Sequence, residues 1–231
     1  NEVGLKVLEE QLDIQNYCNF KTQSFHWNDI YKGFASGQGY TAFGWPSLGK
    51  YANNAATSKV IGQVRSAVVC GTEAKGTLVR CAQASLGRSL SVSNYSKYPE
   101  FAYCYIQFAT APIVSAFAVA KATGLFDCYR YSHITNPVVV EAYPEGFPEI
   151  LLQNMKVAVP GFFLRGGKEY EDALDAQLSA CYSGAIKPKA ALENVSQEWD
   201  KITKRQGREG QIARWKELRE FYPADFKKVA G

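Results

Sequence analysis

Trp45 stands immediately before Pro46 in the run FASGQGYTAFGWPSLGKYANN, residues 34–54, and two arginines, Arg88 and Arg130, lie in loops further along. An indole offers a flat apolar face, and a guanidinium offers five donors in a fixed fork. That combination suits reversible binding of a polar ligand with one apolar side. A different chemistry can be assembled from Cys128 and His133, a thiol and an imidazole five residues apart in one loop. No third orienting group and no glycine pair for an oxyanion accompanies them. The other histidine, His26, adjoins a helix start, so the chain is expected not to be an enzyme. The six cysteines, at 18, 70, 81, 104, 128 and 181, include no CxxC pair. Neither a metal site nor a cofactor is expected from them. Cys104 and Cys181 fall on helix faces that read as buried. Cys70 and Cys81 flank a glycine-containing loop and could meet as hairpin neighbours; free thiols and, in an oxidising compartment, a disulfide are both open there.

The elements around Trp45 follow from residue type. Gly37 and Gly39 can supply the positive-φ turn after a helix, Tyr40–Phe43 alternates as a strand does, and Gly44 allows close backbone approach. Pro46 fits the first turn of a new helix, where its missing N–H is no loss. Trp45 is thereby placed at the mouth of a strand-to-helix junction with backbone donors pointing outward. Elsewhere, apolar spacing predicts helices over 2–17 and from Trp27 to Phe34, and strands over 64–69 and 89–93. Pro99 opens an apolar helix that Pro112 must break and restart. Residues 125–136 form an aromatic and polar loop, 141–147 a proline and glycine bend, and 150–156 a short helix. Three further helices follow, from about Lys168 to Tyr182, from Pro188, and after Gly207. Helical spacing assigns Trp27 and Trp199 to packing.

The 231 residues carry 26 basic and 22 acidic side chains, a net charge of +4, with the bases scattered or interleaved with acids. A nucleic-acid surface would be a concentrated basic stripe, so no such partner is expected. No apolar run approaches the ~18 residues of a membrane span, and the first residues have no secretory-signal pattern.

Three stretches, in order, resemble the second half of a family 1 extracellular solute-binding protein of sugar ABC transporters. They are SFHWNDIYKGFASGQGYTAFGWPSLGKYA, then LGRSLSVSNYSKYPEFAYCYIQFATAPIVSAFAVAKATGLF, then the tail from Tyr170 to Arg219. The resemblance implies an α/β fold of the type II periplasmic binding-protein kind, with two lobes around a cleft. It implies that residues 1–85 belong to the second lobe, that 86–125 return to the first lobe as a strand and helices, and that 126–231 complete the second lobe. The returning segment would expose an apolar face on Phe101, Tyr105, Ile106, Phe108 and Phe117. A fragment, or one half of a split binding protein, is therefore expected, its amino-terminal lobe coming from a second polypeptide.

The implied ligand is a carbohydrate or related polar solute, taken up without chemistry in a periplasm or at the cell exterior, and the implied further partner is an ABC transporter membrane subunit. The implied ligand-binding residues are Gly44, Trp45, Gly87, Arg88, Asp127, Arg130 and Arg165. Where the family usually carries Gly-Gly-Trp this chain has Leu86, Gly87 and Arg88, a cation in place of a stacking ring, which favours an acidic or altered ligand. FDCYR has Cys128 where proline is common. Two other roles are open: Asp127 as a helix or turn cap, and the whole chain as an accessory or scaffold subunit derived from a binding protein, with no transport role.

Overall fold

A computed structural model describes residues 2–18, 24–83 and 89–229. Helices take 58% of the described residues and strands are few and short, a composition loosely compatible with the α/β class. In chain order the helices are α1 (Glu2–Ile14), α2 (Trp27–Ala35), α3 (Ser47–Ala52), α4 (Pro99–Thr110), α5 (Pro112–Ala120), α6 (Tyr131–Ile134), α7 (Pro137–Ala142), α8 (Phe147–Lys156), α9 (Gly167–Tyr182), α10 (Pro188–Gln206), α11 (Arg208–Arg219) and α12 (Ala224–Val229). The strands β1 (Gly71–Ala74) and β2 (Thr77–Arg80) form a hairpin. The chain divides into two compact units, one of residues 1–24, 73–79 and 158–231 and the other of residues 25–72 and 80–157.

Helix boundaries in the second of these units follow the local chemistry. α2 opens with Asp29 accepting a hydrogen bond from the His26 backbone N–H at 2.9 Å, and it is followed by Gly37 at φ 81°. Pro99, Pro112 and Pro137 each open a helix. The Pro112 break bends α4 against α5 by 62°. The unit's core joins Ala116 and Val119 of α5 to Val139, Tyr143 and Phe147, with the last two rings stacked at 3.8 Å. Residues 125–136, expected as loop, contain the one-turn helix α6.

The strands expected over Tyr40–Phe43, 64–69 and 89–93 do not form; these residues lie in irregular chain. A strand needs a ladder partner for its backbone groups. Beside residues 67–69 that role falls to one side chain: Asn154 accepts from the Val69 N–H at 2.9 Å and donates to the Ala67 carbonyl at 3.2 Å. A planar amide thus imitates two rungs of a ladder without a neighbouring strand.

In the other unit, α9 packs on α10, α10 on α11, and α1 on α10. Leu8, Cys181 and Ala191 form one core cluster. Trp199 donates its indole N–H to the Tyr170 carbonyl at 2.9 Å and lies against Phe162, so its expected packing role holds.

α4 departs from the pattern of a packed helix. Its sequence PEFAYCYIQFAT is mostly apolar, yet it buries no residue. Of the expected face, Phe101 is 75% exposed, Tyr105 65%, Phe108 63% and Phe117 60%, whereas Ile106 is half-buried; Ile113 of α5 is 73% exposed beside them. Cys104 is exposed with it, a correction to its expected burial, because no described residue covers this face of the helix. No single helix there is long and apolar enough to cross a membrane.

Candidate functional site

Trp45 occupies the turn into α3, 44% exposed. Its neighbour Gly44 explains the close backbone approach: a Cβ there would lie 2.9 Å from Leu48 Cδ2 and 3.5 Å from Tyr31 Cε1. Pro46, at φ −49°, leads directly into the helix. The indole meets a second one, for the ring centroids of Trp27 and Trp45 are 6.2 Å apart at 50°. Trp27 also meets the edge of Tyr31 at 5.4 Å. Its helical spacing correctly placed it against α2's own packing face, but the periodicity could not show that the same ring reaches Trp45.

The backbone donors of α3 do not point outward to a ligand. The Ser47 N–H donates to Asp127 Oδ1 at 2.6 Å, the Leu48 N–H to the Trp45 carbonyl at 2.9 Å, and the Gly49 N–H to the Pro46 carbonyl at 2.9 Å. Asp127 therefore caps a helix, the structural role left open for it, and its carboxylate sits where the helix dipole favours an anion. The same bond brings the 125–130 loop to the Trp45 turn. Tyr31 adds a 2.9 Å hydroxyl contact with Ser47 under the turn.

Lys50, unnoticed in the sequence, is completely buried. Its Nζ donates to the carbonyls of Val119 at 2.7 Å and Phe126 at 2.6 Å. Burial pulls its pKa down, with Asp127 and Cys128 acting in the opposite direction. One short helix therefore gives a cation to the end of α5 and receives an anion at its own start. No motif announces such a pair, since Lys50 and Val119 are 69 residues apart.

Arg130 donates to the Thr110 carbonyl at 2.7 Å, at the end of α4, and its guanidinium lies 5.5 Å from the Tyr129 ring centre. Arg165, in the other unit, is exposed; its backbone N–H and carbonyl are both bound by the Gln211 side chain, at 3.2 and 2.8 Å. It lines a concavity of about 410 Å³ with Phe163 and Arg214. Gly87 and Arg88 lie outside the described residues.

Cys128 and His133 are each engaged by other groups. Burial, then the charge of Asp127, pushes the Cys128 thiol up to about 11, and the imidazole Nε2 is engaged 3.0 Å from Ser115 Oγ. A thiolate at neutral pH is disfavoured there. His133 is fully buried, and desolvation followed by the Arg130 charge lowers its pKa below the ordinary 6.5. The unfolded chain therefore binds the proton more readily, so His133 contributes stability above pH 6.5 that is lost as pH falls through the lower folded value. Thermal unfolding from pH 7.5 to 5 is expected to show a steeper loss of Tm for the wild type than for His133→Gln. Parallel curves would show that other groups set the acid limb.

Compared with protein-family models, with curated proteins and with solved structures, the chain matches none.

Proposed function

We propose that the chain is the carboxy-terminal portion of a two-lobe, type II solute-binding protein that binds a carbohydrate or related polar solute for ABC-type uptake. In this reading residues 1–85 and 126–231 build the second lobe, and 86–125 return to the first. A second polypeptide supplies the rest of the first lobe, seated on the apolar face of α4 and α5. The setting is a periplasm or cell exterior, and lobe closure over the solute presents a surface to a membrane subunit. No bond is made or broken.

The observation that carries the reading is the half-exposed Trp45 on a turn held from three sides, by Asp127, Tyr31 and the Leu48 N–H that donates to the Trp45 carbonyl. A rigid ring loses little freedom on binding, and its face suits the C–H side of a sugar. With the α3 donors already satisfied, stacking outweighs anion capture at this turn, which favours a solute without a large negative charge. Arg130 then serves as a hydroxyl donor.

Isothermal calorimetry against a panel of neutral sugars and sugar acids, with the amino-terminal lobe present, tests this. Trp45→Ala is expected to weaken the binding sugar at least tenfold, ~1.4 kcal/mol, and Trp45→Phe to retain most of the affinity. The exposed α4 also favours a second reading, in which the chain is an accessory or scaffold subunit that meets other proteins. Absence of heat from every solute, with the two chains stably associated, would replace the first reading by the second.

A further inference from the structure

We infer that Cys70 and Cys81 form a redox-active pair, closing as an intramolecular disulfide across the base of the β1–β2 hairpin. The turn sets the register. Lys75 and Gly76 have φ of 49° and 70°, the two left-handed residues of a two-residue type I′ connection. Such a turn places residue 74 opposite 77, and counting outward places 70 opposite 81. Directly opposed residues in an antiparallel pair have Cα atoms about 4.5–5.5 Å apart. That lies inside the range a disulfide accepts.

A second set of contacts fixes the same juxtaposition just beyond the strands. Val69, preceding Cys70, donates its N–H to the Asn154 side chain, and Ala82, following Cys81, donates its N–H to the Val157 carbonyl at 3.1 Å. Both flanks are therefore tied to one turn at the end of α8. The Arg80 guanidinium closes the gap between them by donating to the Val69 carbonyl at 2.5 Å. Both cysteines are exposed and both are free thiols in this structure.

The oxidant is a low-molecular-weight disulfide such as glutathione disulfide. One cysteine thiolate attacks a sulfur of that disulfide; a mixed disulfide forms and one small thiolate leaves. The second cysteine thiolate then attacks the protein-bound sulfur, the Cys70–Cys81 bond forms, and the second small thiolate leaves. Two protein thiols are oxidised, one small disulfide is reduced to two thiols, and the two protein protons pass through solvent to the leaving thiolates.

The full chain, reduced and then equilibrated in glutathione buffers of rising oxidised fraction, is quenched with N-ethylmaleimide and weighed intact. The expected product is two hydrogens lighter before labelling and takes up four labels in place of six, as six cysteines less one bonded pair require. Trypsin then releases residues 66–75 joined to 81–88. Half-closure is expected at least tenfold lower in oxidant than glutathione adduct formation at the exposed Cys18 or Cys104, because the second exchange step is intramolecular. In Cys70→Ser or Cys81→Ser, the remaining cysteine is expected to stop at the mixed disulfide. Separate glutathione adducts on Cys70 and Cys81 in the wild type, or a linked peptide pair involving another cysteine, would overturn the inference.

Discussion

Lys50→Met lowers the unfolding free energy by about 3 kcal/mol, an expectation that rests on two carbonyls rather than on a salt bridge. Methionine matches the length of the lysine stem and fills the same volume, so the change is not mainly a cavity. It removes the lysine donor from the buried Val119 carbonyl and from the half-buried Phe126 carbonyl. Val119 belongs to the last turn of α5, where carbonyls lack an intrahelical partner. An ammonium there satisfies the orphan group and meets the negative end of the helix dipole. An unsatisfied buried acceptor costs roughly 1–3 kcal/mol, so the Val119 carbonyl accounts for about 2 kcal/mol and the half-buried Phe126 carbonyl for about 1. Lys50 also lies 6.0 Å from the Tyr143 ring centre, so its loss disturbs the α5–α7 core from a second side.

Urea denaturation measures it. The midpoint should fall with the slope unchanged, because the folded state loses stability without exposing new surface. Asp127→Asn should cost less, about 1 kcal/mol, since an amide oxygen still accepts from Ser47 while the charge is gone. A Lys50→Met midpoint equal to that of the wild type would mean that solvent reaches those carbonyls.

Lys50 also marks where legibility from sequence ends. Helix limits were readable where they are written locally: Pro99, Pro112 and Pro188 sit at helix starts, and Gly37 and Gly207 carry positive φ at helix ends, whereas the short α7 opened by Pro137 was not read. Trp45 was readable for the same reason, as a ring between a glycine and a helix-opening proline. The strands were not, because alternation in 40–43, 64–69 and 89–93 states only that a chain can be extended. Whether a ladder forms depends on a partner far away, and beside 67–69 it was one asparagine. The donors of α3 looked available for a ligand because the sequence shows a helix start but not the Asp127 carboxylate, eighty residues on, that occupies it. Cys104 read as buried since its helix is apolar, but an apolar helix is buried only where something covers it.

The uncovered helix leads to the other large effect. Phe101→Asp with Phe108→Asp is expected to leave the unfolding free energy of the chain, from urea denaturation, within about 0.5 kcal/mol, since surface substitutions rarely cost more. Association through this face should weaken by about 2 kcal/mol, roughly thirtyfold. Phe101, Tyr105 and Phe108 recur at i, i+4 and i+7 and so line one side of α4, while Ile113 and Phe117 continue the apolar surface beyond the Pro112 bend. Fully burying one such side chain is worth about 1.5–3 kcal/mol, so water exerts a strong drive to cover five of them. Sedimentation velocity of the chain alone should show a mean mass rising with concentration as copies cover the face for one another. The double variant should remain a monomer over the same range, and adding the amino-terminal lobe should suppress association of the wild type. A wild-type chain that stays monomeric at high concentration, and binds no apolar dye, would show that water tolerates this face. The case for a second polypeptide seated on α4 and α5 would then be lost, whereas the binding test at Trp45 would be unaffected.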